Sequence, residues 1–148
     1  MQFKAEKISD TWDEIFPLIK MNFDETGVKG PVFNPSKKVY ELLQEAKILH
    51  FIVARNKFGE PIGYSFMHIS MHPHFQDVVF ATQDAFYLLP QYRGIIGYKF
   101  FQFVEQDLLS NGVSYVARDS CQENDWSKTL IRSGYREVKQ IFVKKLEA

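Results

Sequence analysis

The sequence predicts one α/β domain of mixed α+β type, a central twisted sheet of about six strands flanked by about four helices. Three observations predict it. Helical periods and short β-rich runs follow one another in the order β, α, α, β, β, β, α, β, α, β. The 148 residues carry no internal repeat, low-complexity tract or interdomain linker, so residues 1–148 read as a single domain. Between Phe86 and Leu109 an apolar run ends at Pro90, a glycine loop follows, and an amphipathic helix begins, as in a crossover connection.

The elements follow in order. Residues 3–8 alternate Phe3, Ala5 and Lys7 against charged neighbours and suit a first strand. Ser9 and Asp10 are good helix caps, so the first helix is expected over residues 11–21, with Trp12, Ile15, Phe16 and Ile19 on one face. Pro17 interrupts that pattern and predicts a kink or a split. Residues 27–35 hold two Gly and two Pro and form a loop. Ser36 caps a second helix over residues 37–46, with Val39, Leu42 and Leu43 inward. Residues 48–54 read as a buried strand, and a Phe58-Gly59 turn leads into a hairpin partner over residues 61–70. After the loop 71–76 comes a long strand, 77–89, with a bulge expected near Thr82 or Gln83. A helix over 97–110 stops at Asn111-Gly112. A strand over 113–118, a short helix capped by Asn124 or Asp125 and ending at Ser133-Gly134, and a last strand over 135–146 complete the chain.

Lys plus Arg equal Asp plus Glu at 18 each, so the formal net charge is zero. General nucleic-acid or membrane-surface binding needs a basic excess and is not expected. The single cysteine, Cys121, permits no disulfide within the chain and favours a reducing compartment. No apolar run approaches the roughly 20 residues of a membrane helix, and the first residues hold no apolar signal region. A cytoplasmic protein is the expectation.

The glycine loop carries chemistry. Arg93, Gly94 and Gly97 lie between the strand and the helix, an arrangement that presents free backbone N–H groups to an anion. A phosphate-bearing ligand is expected there. A tight connection without a ligand is the plainer alternative.

The element order and the Pro-x-Tyr-Arg-Gly loop (Pro90 to Gly94) resemble the GNAT superfamily of N-acetyltransferases. The segment HPHFQDVVFATQDAFYLLPQYRG also resembles a phage and bacterial subgroup in which a His-rich loop precedes an Ala-x-x-Asp strand and the Arg-Gly loop. Gln91-Tyr92-Arg93-Gly94-Ile95-Ile96 satisfies the family's Gln/Arg-x-x-Gly-x-Gly/Ala pattern except at Ile96, where a small residue is usual. The resemblance implies acetyl-CoA as cosubstrate and no metal. It places the pyrophosphate on the N–H groups of Ile95, Ile96, Gly97 and Tyr98, with Arg93 adding positive charge beside Gly94. It also implies that the backbone of Phe86, Tyr87 and Leu88 pairs with the pantetheine arm, and that Asn124 and Ser127 lie near it.

Acetyl transfer to an amine needs a base, because an alkyl ammonium has a pKa of roughly 10. It also needs a donor for the oxyanion. Asp84 is the candidate base, two residues before Phe86 and expected on the same strand face as Phe86 and Leu88. A bulge-region Asp that bonds backbone or pairs with an Arg is the plainer alternative for Asp84. His68 on the neighbouring strand is its rival, with a satisfied core or pocket-wall histidine the plainer reading. The general acid is a gap. Relatives carry Tyr five residues before the aromatic of their Gly-aromatic pair; here the pair is Gly134-Tyr135 and that position is Leu130. Tyr135, Ser127 and Cys121 are substitutes by proximity alone, and solvent can protonate the thiolate. His72 and His74 have no further ligand at metal spacing and read as a loop. The stripe Phe100, Phe101, Val104 and Leu108 reads as core.

The implied function is acetyl transfer from acetyl-CoA to a primary amine of a small molecule or peptide, by direct attack. Asp24 and Glu25 are candidates to greet a cationic amine, with a solvated helix end as the plainer reading. A non-catalytic CoA-binding module and an interaction protein that keeps only the fold are the alternatives. A homodimer through an exposed strand or aromatic patch is compatible with the sequence.

Overall fold

A computed structural model describes residues 1–147. Five strands form one sheet in the order β1-β2-β3-β4-β5: β1 (Gln2–Ala5), β2 (Leu49–Arg55), β3 (Pro61–Met71), β4 (Val79–Leu88) and β5 (Tyr115–Ala117). Neighbours pair antiparallel except β4 and β5, which are parallel. The four helices are α1 (Ile8–Thr26), α2 (Lys37–Glu45), α3 (Ile95–Ser110) and α4 (Ser127–Arg132). The fold class read from the sequence therefore holds, with five strands rather than six. Residues 135–146, expected as a sixth strand, join no sheet.

Each sheet face buries its own cluster. Ile8, Trp12, Ile15 and Leu18 of α1 pack with Phe51, Tyr64, Phe66 and Tyr87 on one face. Phe100, Val104 and Leu108 of α3 pack with Ile52, Ile62, Met67 and Leu88 on the other. The predicted α3 stripe of Phe100, Phe101, Val104 and Leu108 is buried throughout.

Several local expectations are corrected. The first helix starts at Ile8, not Thr11, because its cap comes from elsewhere in the chain. Gln44 of α2 accepts from the Ile8 N–H at 2.9 Å through Oε1 and donates to the Glu6 carbonyl at 2.8 Å. A long-range side chain thus replaces the local Ser9-Asp10 signal. The helix also runs through Pro17 unbroken. Phe16 is half-exposed and Leu18 takes its place in the core. In α2, Ser36 caps as expected, its Oγ accepting from Val39 N at 3.2 Å. Tyr40 and Leu43 face inward, while Val39 and Leu42 are half-exposed.

Arg55 ties β2 to α1. It donates to Glu6 through Nε and Nη2, both at 2.8 Å, and to Glu14 through Nη1 at 2.8 Å. The Arg55 hydrogen bonds hold Glu6 below its ordinary value of 4.5 against partial burial, with Thr11 helping. A depressed carboxylate contributes stability above its unfolded pKa and loses it as pH falls through the folded value. Melting temperature is therefore expected to fall on acidification from about pH 5 to about pH 3, with a shallower fall in Glu6→Gln. Thermal melts across that range check this.

Candidate functional site

β4 ends at Leu88, and Pro90–Tyr92 forms one 3-10 turn. Gly94 then adopts φ 91° and ψ −127°, a conformation side chains disfavour strongly, and α3 starts at Ile95. The first bond within that helix runs from Tyr98 N to Gly94 O at 2.9 Å. The N–H groups of Ile95, Ile96 and Gly97 therefore have no acceptor in the helix, and no side chain caps it among the described residues. Tyr98 drops out of the expected anion seat, since its N–H is already used. Its half-exposed ring flanks the seat instead. Ile96 packs into the cluster beneath α3, so its bulk turns toward the core. Ile95 is exposed.

Gly97 is not demanded by packing. A Cβ there would meet Leu88 Cδ2 at 3.5 Å, an ordinary contact. Glycine inside a helix costs about 0.5–1 kcal/mol relative to alanine, and the fold offers no reason for that cost.

Arg93 is exposed but not free. Its Nη2 donates to Glu25 at 2.7 Å and its Nε to the Leu88 carbonyl at 2.9 Å, while the guanidinium lies 5.5 Å from the Tyr87 ring. Glu25 thus neutralises the charge expected for phosphate, and itself is not available to greet an amine. Asp24 is likewise paired, with Lys20.

β4 is paired with β3 along its length, but with β5 only from Phe80 to Thr82. Beyond Thr82 the two parallel strands part, and Gln83 to Leu88 face no strand on that edge among the described residues. Phe86 points toward α3, stacked on Phe100 and, at 5.5 Å and 4°, on Trp126. Tyr87 belongs to the opposite cluster.

Asp84 is the extra residue of a β-bulge. The β3–β4 register jumps from Phe66↔Ala85 to Met67↔Gln83, leaving Asp84 without a partner. The bulge, expected one or two residues earlier, resets the alternation. Asp84 consequently faces α2 with Ala85, not the α3 side with Phe86 and Leu88. Tyr40 Oη donates to its Oδ2 at 2.7 Å, and His68 Nε2 lies 4.0 Å from the same oxygen. The two rival bases therefore stand side by side. Burial, and next the Asp84 charge, push the Tyr40 hydroxyl far above its usual range, so it stays a donor. Sequence reasoning missed Tyr40. Its spacing of three from Leu43 after the Ser36 cap was the available signal.

Asn124 and Ser127 line the cleft that opens between β4 and α4, together with Gly94, Gly97 and Asp84. The Ser127 N–H is already bonded to Asp125 Oδ1 at 2.9 Å, and Asn124 bridges to Cys121. Leu130 is buried core. The Tyr135 hydroxyl donates to Glu105 and accepts from Arg118 Nε at 3.2 Å. Burial pushes it up to about 12 despite Arg118, so it is a poor proton source. His72 and His74 stack edge-on at 5.0 Å in an aromatic group with Phe75 and Phe80.

No family model and no curated protein matches the chain. Solved structures do. An aminoglycoside acetyltransferase from an uncultured soil metagenomic sample, in complex with sisomicin, aligns with TM-score 0.76 at 14% identity, over 99% of this chain and 96% of that one. A ribosomal-protein-alanine N-acetyltransferase from Brucella melitensis biovar Abortus 2308 aligns at 0.72 and 13%, over 99% and 100%. An acetyl transferase described as putative, from Pyrococcus furiosus, aligns at 0.67 and 21%, over 98% and 100%. The chain has the GNAT fold. At such identities the likeness speaks for fold alone.

Proposed function

We propose that the chain is a single-domain N-acyltransferase that moves an acetyl group from acetyl-CoA to a primary amine of a small molecule or peptide. One observation carries this reading: the uncapped start of α3 behind Gly94 and the Asp84 bulge lie at opposite ends of one unpaired strand edge. An anion seat, a run of free backbone and a carboxylate follow one another along β4. In this reading the N–H groups of Ile95 to Gly97 receive the pyrophosphate. The free edge of Phe86 to Leu88 bonds the amides of the pantetheine arm. Asp84 takes a proton from the incoming ammonium, with Tyr40 orienting the carboxylate. The nitrogen then forms a bond to the thioester carbonyl carbon, the C–S bond breaks, the new amide nitrogen sheds its extra proton to solvent, and solvent protonates the departing thiolate. The names of two structural neighbours, acting on an aminoglycoside and on a protein alanine, support an amine acceptor without choosing its kind.

Leu130 in place of the family tyrosine favours a second reading, a module that binds CoA without catalysis. Calorimetric titration with acetyl-CoA, run beside an amine panel, separates the two. The wild type is expected to bind with micromolar affinity. Gly97→Ala is expected to weaken binding about tenfold while raising stability by about 0.5–1 kcal/mol. A purely structural Gly97 would give the second effect without the first. Absence of binding by the wild type overturns both readings.

A further inference from the structure

The wall of the cleft on the α1 side of Asp84 is apolar and aromatic. From Ile19 to Phe66, none of the residues lining the cleft is charged. Tyr64 and Phe66 are buried at its base, while Phe23, Phe33 and Tyr40 are half-buried and leave part of each ring accessible. Tyr40 stacks on Phe66 at 4.6 Å, and Phe23 meets Phe33 at 5.0 Å. Val28 and Val32, 53% and 89% exposed, extend the apolar surface along the rim. A concave wall of this kind, with one convergent polar group, is built to take an apolar ligand.

The polar groups of this wall are turned on one another. Asn22 Nδ2 donates to the Tyr64 hydroxyl at 3.0 Å, and Thr26 Oγ1 donates to Asn22 Oδ1 at 3.0 Å. A sugar or a polyamine laid here would find few free partners. The charges at its margins are paired: Lys20, 5.5 Å from the Phe33 ring, with Asp24, and Glu25 with Arg93. Across the cleft, Asp119 accepts from Gln83 Nε2 at 3.1 Å, Asp125 from Ser127 N at 2.9 Å, and Glu105 from Tyr135, while Glu137 adjoins Arg136 in the chain. Asp84 differs. Its Oδ2 accepts from Tyr40 and lies 4.0 Å from His68 Nε2, and its Oδ1 has no partner among the described residues. That oxygen keeps its lone pairs for an incoming donor.

We infer that the acceptor is a small monoamine with an apolar or aromatic body, its single ammonium on Asp84 Oδ1 and its body on Phe23, Phe33 and Tyr40. The inference rests on the acyltransferase reading and names its substrate class. One cation matches one free carboxylate oxygen. A second ammonium would lose its water against this wall, and the faces of aromatic rings offset only part of that cost. An apolar body has the opposite balance, because it leaves water for rings and valines that have no other cover. Polycations are therefore poor ligands here, however well one of their amines reaches Asp84.

Titration of the full chain with 2-phenylethylamine, ethylamine and spermidine tests it, followed by backbone amide NMR shifts with and without CoA. The phenyl compound is expected to bind with a Kd of about 1 mM or tighter, and at least about tenfold more tightly than either of the others. Shifts are expected to centre on residues 22–34 and Asp84, and Asp84→Asn is expected to weaken the binding about tenfold or more. Spermidine binding as tightly as 2-phenylethylamine overturns the inference. So does 2-phenylethylamine that fails to bind, or that binds Asp84→Asn as well as the wild type. Acetylation of the same three amines separates this inference from the reading beneath it. Transfer to 2-phenylethylamine in preference to spermidine is expected, and transfer to spermidine alone overturns the substrate class. Selective, Asp84-dependent binding of 2-phenylethylamine without transfer to any amine upholds the ligand class and overturns the acyltransferase reading instead.

Discussion

Asp84→Asn is expected to lower acetyl transfer by about 100- to 10,000-fold while leaving acetyl-CoA affinity within about twofold, the range spanned by general-base catalysis. The substitution keeps size and an acceptor for the Tyr40 hydroxyl, so the 2.7 Å bond can persist and the bulge with it. What it removes is the ability to take a proton from an ammonium. A merely structural Asp84 would leave the rate close to that of the wild type. His68→Ala separates the neighbours: if His68 is the base, its loss is the larger of the two and the acid limb of the rate profile moves with it. Tyr40→Phe is expected to cost less than Asp84→Asn, because it removes an orienting donor and not the proton acceptor. Steady-state kinetics on an accepted amine, paired with calorimetric titration of acetyl-CoA, gives both quantities. Wild-type rates in Asp84→Asn would remove Asp84 from the chemistry.

Local signals in the sequence reached local facts. The Ser36 cap, the Phe58-Gly59 turn and the Asn111-Gly112 stop are decided by neighbouring residues, and each appears where expected. The α3 stripe is legible for the same reason, since a helical period reports its own buried face. Long-range partners decided the rest. Gln44 starts α1 at Ile8, three residues before the start expected from the Ser9-Asp10 signal, from 36 residues away. Glu25 reaches 68 residues along the chain to Arg93 and changes that residue from a free charge into a tether. The bulge shows the limit most plainly. A strand's alternation assigns faces correctly until one unpaired residue shifts the phase, and that residue is the candidate base. Residues 135–146 read as a strand from their pattern, and the pattern still has a physical meaning. A strand needs a neighbour, and among the described residues this chain brings none to it.

Arg118→Ala is expected to destabilise the fold by about 3 kcal/mol, and Arg118→Met by less than about 1 kcal/mol. The guanidinium carbon lies 4.6 Å from the Phe101 ring centre, 5.1 Å from Phe86 and 5.8 Å from Trp126. Nε donates to Tyr135 Oη at 3.2 Å and Nη1 to Gln83 Oε1 at 3.1 Å, but Nη2 is buried with no protein partner among the described residues. Burial pulls the group below its ordinary pKa, so the charge is held at a cost. Both substitutions strip Tyr135 and Gln83 of their donor, and alanine alone also opens a void among three rings, adding a second penalty. Methionine fills most of the volume, suits aromatic neighbours and removes the unmet donor and its desolvation. Thermal melts should therefore place Met near the wild type and Ala roughly 10 °C below. If Met falls as far as Ala, the hydrogen bonds and not the packing hold this corner, and the unmatched Nη2 is a small matter. If Met preserves stability yet abolishes acetyl-CoA binding, the unmatched donor is kept for a ligand acceptor at the wall of the cleft, where a buried polar group without a partner has no structural use.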